Sequence, residues 1–172
     1  PPLYISRSDS IDGIGDIVLM PLMLNYSVSP DFNVNFRAAA YAPTGSYETG
    51  RLANTGKNFW TIEPTLGLMY FGKKNGFEAS VFIGYDWNEE NDATNYQSGE
   101  QFHIDGTLAQ HFPLAGGLIG VGVSGFYYDQ VTGDSGSGAI LGDFKGRATG
   151  ATTLAGLDLL APSVNIWRCF LQ

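Results

Sequence analysis

Three observations predict an all-β chain, an antiparallel up-and-down transmembrane β-barrel, partial or truncated at about seven strands. Apolar and polar residues alternate with period two over several long segments. Successive side chains of a strand point to opposite faces, so each such segment has two faces. The connections between segments alternate short and long, as in a meander whose turns are short at one end and long at the other. Aromatic residues collect at the segment ends, where a membrane barrel carries its two girdles.

The clearest segment is 77–87, FEASVFIGYDW. Phe77, Ala79, Val81, Ile83, Tyr85 and Trp87 make one apolar face; Glu78, Ser80, Phe82, Gly84 and Asp86 make the other. About 11 residues is the length a tilted strand needs to cross a bilayer. Before it, 16–28 is apolar on both faces and contains Pro21. Proline is poorly tolerated inside a helix or a central strand. The reading is a strand buried on both sides, with a short helix as the alternative. Residues 29–31 form a turn. In 32–42, Asn33, Asn35, Arg37, Ala39 and Tyr41 oppose Phe32, Val34, Phe36, Ala38 and Ala40.

After a long polar stretch, 59–71 sets Trp60, Ile62, Pro64, Leu66, Leu68 and Tyr70 against Thr61, Glu63, Thr65, Gly67 and Met69. A short turn at 72–76 leads into 77–87, and the polar stretch 88–99 follows. Segment 100–112 places His103, Asp105, Thr107, Ala109 and His111 opposite Phe102, Ile104 and Leu108. Segment 118–130 places Phe126 and Tyr128 opposite Val121, Val123 and Tyr127. A third long stretch, 131–146, is rich in Gly, Ser and Asp. Residues 147–160 supply a seventh strand of poor alternation.

Composition agrees. The chain has 172 residues, 44% hydrophobic and 13% aromatic, with 23 glycines and only 15% charged residues. That fits a single domain over 1–172 with much sheet and one surface turned away from water. The net charge is −8 and there is no basic stripe, which argues against a nucleic-acid partner. One cysteine, Cys169, allows no intrachain disulfide. No apolar run reaches the ~18 residues of a membrane helix. The start at Pro1-Pro2 reads as a processed chain or a fragment.

If the apolar faces meet lipid, Arg37, Tyr41, Glu63, Met69, Glu78, Phe82, Asp86, His103, Asp105, His111, Phe126 and Tyr128 face the lumen. Buried charges need partners, so Arg37 is expected to pair with Glu63 or Glu78. The Gly133-Asp134-Ser135-Gly136 run mimics a serine-protease nucleophile segment, with His103 and Asp105 upstream. A triad requires these groups within hydrogen-bond reach, and the run reads as a surface loop. His103 and His111, eight residues apart on one strand, lie roughly 26 Å from each other and cannot share a metal. Glu89, Glu90, Asp92 and Asp86 offer carboxylates to a hard cation such as calcium, but they lack EF-hand spacing and read as a solvated acidic loop. No catalytic, cofactor or metal site is assigned, and no enzyme activity is expected.

Several motifs carry a family resemblance. They are Tyr41-Ala42-Pro43-Thr44-Gly45-Ser46-Tyr47, the run from Leu52 through Asn58-Phe59-Trp60-Thr61-Ile62-Glu63-Pro64, and Gly84-Tyr85-Asp86. Tyr96-Gln97-Ser98-Gly99-Glu100-Gln101-Phe102-His103 and Gln130-Val131-Thr132-Gly133-Asp134 add to these. Together they resemble outer-membrane proteins of the meta-pathway phenol-degradation family, over about residues 13–147. The resemblance implies a bacterial outer-membrane barrel that passes small hydrophobic or aromatic compounds, with the lipid bilayer and the solute as partners. Further strands would then be expected, yet 148–172 departs from the pattern, as a truncated or frame-altered end would. Two other readings stay open: a structural barrel with a plugged lumen, and a soluble lipocalin-like barrel with its apolar face inward.

Overall fold

The computed structural model describes residues 8–114 and 117–158. Nine strands follow one another: β1 (Ile17–Ser29), β2 (Phe32–Ala42), β3 (Thr61–Phe71), β4 (Phe77–Asn88), β5 (Glu90–Asn91), β6 (Tyr96–Gln97), β7 (Gln101–Leu114), β8 (Gly117–Gln130) and β9 (Arg147–Asp158). Seven of them form one sheet in the order β1-β2-β3-β4-β7-β8-β9, and β5-β6 is a small hairpin within a long connection. Each neighbouring pair in the large sheet is antiparallel. The expected meander is therefore present, with its short turns at one end and its long connections at the other.

Burial is distributed inside out. The buried hydrophobic residues among those described are Ala39 and Ala42, whereas Asn35, Thr61, Thr65, Asn88, Asn91, Gln101 and Gln130 are buried polar ones. Phe36, Ile62, Leu66, Leu108, Val121 and Val123 are large, apolar and exposed. All six lie on faces that alternation marks as apolar. This reverses the lipocalin-type arrangement, in which the apolar face is the covered one.

One expectation needs correction. Residues of β1 are exposed along the whole strand, so it is not buried on both sides. It forms an edge of the sheet, and its register with β2 slips between Leu19 and Leu22. Pro21 sits in that slip, where an edge strand tolerates a residue without an N–H. The expected seventh strand is present over residues 147–158 despite weak alternation, because β8 offers a continuous partner from Leu118 to Asp129. The remaining 159–172 of the atypical end lie outside the described residues.

Six antiparallel steps separate β1 from β9, so these two edge strands point the same way. Joining them directly would make a parallel pair. Antiparallel closure of such a sheet would take an odd number of additional strands.

Candidate functional site

The polar face carries two clusters of ionisable side chains, one near each end. The first lies toward the long connections, on β2, β3, β4 and β7. Tyr41 donates its hydroxyl hydrogen to Glu63 Oε2 at 2.5 Å, and Thr65 donates to Glu63 Oε1 at 2.8 Å. His103 Nε2 stands 3.7 Å from Glu63 Oε1 and 3.9 Å from Asp86 Oδ1. Its other nitrogen, Nδ1, lies 3.1 Å from Asp105 Oδ2. Glu63, Asp86 and His103 are mostly covered, their side chains 15%, 14% and 19% exposed. Tyr128 lies directly across from His103 in the β7–β8 register. Lys57, in the connection above, holds its ammonium 5.7 Å from the Tyr41 ring centre.

At the short-turn end, His111 Nε2 pairs with Glu78 Oε2 at 2.7 Å. The His111 ring meets Phe71 edge-on at 5.3 Å. Between the clusters, Arg37 lies over the Phe82 ring, 4.7 Å from its centre. That corrects the expected pairing of Arg37 with Glu63 or Glu78. Both carboxylates are engaged elsewhere, and the ring face offers the guanidinium a cation–π contact. Met69 lies in register between Asn33 and Ser80.

One device recurs on this face. Gly67 opposes Phe82, Gly84 opposes His103, Gly120 opposes His111, and Gly150 opposes Phe126. In each pair the ring occupies the space a glycine Cβ would fill. Glycine on one strand thus lets a ring from its neighbour lie flat across the sheet, the arrangement by which aromatics compensate strand glycines. Sequence reading saw the glycines and the rings separately. The available signal was a glycine and a ring at matching register on neighbouring strands.

Ser135 does not join His103. Its amide donates to Gln97 O at 2.9 Å, and its hydroxyl lies 3.4 Å from Gln97 Oε1. The protease-like run instead ties two long connections together. Tyr96 donates to Asp134 Oδ2 at 2.7 Å, while the Gly99 amide and Gln130 Nε2 donate to Oδ1 at 3.2 and 2.6 Å. Partial burial works to raise the Asp134 carboxyl, but these three donors outweigh it and hold it below the ordinary aspartate value of 3.8. Folded Asp134 therefore binds its proton more weakly than unfolded Asp134. Its contribution to docking the loops is complete above the ordinary value and fades as pH falls through the lower folded one. Amide exchange at Gly99 should accordingly lose protection in that acid range, beyond the intrinsic rate change. Asp134→Asn should weaken protection at neutral pH and flatten its acid dependence; an unchanged profile would show that Asp134 does not hold the loops.

Residues of the other quoted motifs also meet in space. Asp16 accepts from the Gly45 and Lys57 amides at 2.9 and 2.8 Å. Thr55 and Gly56 amides donate to Ser46 O. Asn91 accepts from Asn58 at 2.8 Å and donates to Lys57 O at 3.2 Å, joining the first long connection to the second.

No curated protein and no solved structure matches the chain. A family model described as "Putative MetA-pathway of phenol degradation" matches residues 2–158, which takes in all nine strands. The chain that folds into this inside-out sheet therefore belongs to the phenol-degradation meta-pathway family.

Proposed function

We propose that the chain forms wall strands of an outer-membrane channel through which small hydrophobic or aromatic compounds enter, without catalysis. The observation that carries this reading is the reversed burial. Leu108 and Val123, paired across β7 and β8, are 52% and 51% exposed on the apolar face, while Thr61 and Thr65 are 1% exposed on the polar one. Lipid in contact with the apolar face accounts for that pattern, because exposing so contiguous an apolar surface to water is unfavourable.

The aromatics support the same orientation. Tyr70, Phe77 and Phe112 gather toward the short turns; Trp60, Tyr85, Trp87 and Tyr127 gather toward the long connections. From Phe77 to Trp87 the strand covers about 33 Å. At a tilt near 40° that is about 25 Å of height, the thickness of a barrel's apolar band. The short turns would then face the periplasm and the long connections the outside. Phe82, Phe126, Tyr128 and Met69 on the polar face offer rings and a thioether to a planar apolar solute.

The test is flux. Purified protein reconstituted in liposomes should speed equilibration of a small aromatic such as toluate or phenol over protein-free vesicles. Flux equal to that of empty vesicles, from protein shown to be inserted and folded, would overturn the channel reading.

A further inference from the structure

We propose that Glu63, Asp86 and His103 bind a divalent transition-metal cation at the long-connection end of the polar face. One oxygen from each carboxylate and one imidazole nitrogen lie within 4.8 Å of one another. An ion with bonds of about 2.0–2.2 Å holds neighbouring ligand atoms roughly 3–3.6 Å apart. The 3.7 and 3.9 Å separations from His103 Nε2 lie a few tenths of an ångström beyond that range. Small side-chain rotations bring the carboxylates in.

Three further features point to a cation. Asp86 Oδ1 is shielded from solvent and has no hydrogen-bond partner. Glu63 and Asp86 converge from neighbouring strands. The register, Ile62 opposite Trp87 and Thr65 opposite Gly84, sets them level with each other, and like charges so placed repel. Last, Asp105 stands at His103 Nδ1. A hydrogen bond donated from Nδ1 to this carboxylate fixes the tautomer that leaves the Nε2 lone pair facing Glu63 and Asp86. Carboxylate–imidazole–metal relays are built this way. Gly84 completes the seat, since the His103 ring lies where its Cβ would be.

The mixed oxygen and nitrogen set suits zinc and its first-row neighbours better than calcium, which takes oxygen ligands alone. Three protein ligands leave positions open for water or a solute carboxylate. Lys57 is the competing cation, and it reaches toward Tyr41 and Phe59. The proposal stands whether or not the sheet sits in lipid.

The chain has two histidines, so the test can be read on the unmodified protein. Titrating the folded full chain with Zn²⁺ should shift the His103 ring resonances in NMR and leave those of His111 in place. Calorimetry should give one Zn²⁺ per chain. Asp86→Asn or His103→Gln should weaken that binding at least about tenfold, and Asp105→Ala about 10–100-fold by loss of the orienting partner. His111→Gln should bind as the unmodified chain does. Zn²⁺ that shifts both rings or neither would overturn the proposal, as would equal affinity for the unmodified chain and Asp86→Asn.

Discussion

Leu108→Arg should destabilise the folded protein in a bilayer by about 2–4 kcal/mol. Leu108 lies midway along β7 and is 52% exposed on the apolar face, opposite Val123. In water, a substitution at so exposed a site is worth no more than about 0.5 kcal/mol in either direction. In the middle of a hydrocarbon layer, the guanidinium must be dragged from water or must pull water and headgroups inward. The two environments therefore give different answers at one position. Denaturant unfolding from lipid vesicles measures the difference. Arginine at the neighbouring Thr107, which turns to the polar face and bonds Ser124 at 3.1 Å, should cost less. A Leu108→Arg chain as stable as the parent would remove the case for a lipid-facing apolar side.

Gly45→Ala should cost about 1–3 kcal/mol by overpacking. A Cβ at Gly45 would come 2.6 Å from Gly56 Cα and 2.7 Å from Gly56 N. Both obstacles are main chain, so no side-chain rotation relieves them. The two segments of the first long connection would have to separate. In doing so they would strain the bonds that Asp16 accepts from the Gly45 and Lys57 amides. Gly50, also in this connection, provides the contrast. A Cβ there meets nothing within 4 Å, and strain arises from a φ of +88°. Thermal unfolding of the two alanine variants distinguishes them. Disruption in Gly45→Ala should also loosen the loop around Lys57, read as faster amide exchange at Lys57. Unchanged stability would mean that the loop segments do not pack as closely as the Gly45–Gly56 approach requires.

The same glycines show how legible the molecule was. Gly45 and Gly56 stand in the two most specific motifs, and their resemblance to the family was visible in the residues. Their reason was not, because main-chain contact between residues eleven apart in a loop leaves no periodic trace. Strand faces were legible in the five segments that alternate clearly, since alternation is a local property of the pleat. Arg37 was placed on the correct face of β2 but given the wrong partner. Face follows from the position in one strand, whereas partner depends on the register of three. Gly67 opposite Phe82 is what opens the path from that ring to Arg37, and only the pairing of β3 with β4 reveals it.

The seventh strand was blurred for the opposite reason. Arg147–Asp158 has little alternation of its own; β8 imposes its extended form through main-chain bonds, which carry no side-chain signature. For β1 the strand was legible but its exposure was not, because apolar residues on both faces describe a buried strand as well as they describe an exposed edge strand. Hydrophobicity reports which groups avoid water and is silent about what replaces it.

By itself, then, the sequence determined the seven strands of the large sheet, the two faces of those that alternate, the meander order and the family, but not the β5-β6 hairpin. These depend on short-range periodicity, turn residues and contiguous motifs. The tertiary structure decided which ionisable groups meet. Glu63, Asp86 and His103 come from three strands, and His111 finds Glu78 rather than His103. Register fixes such meetings, and a shift of one residue would turn each side chain to the other face.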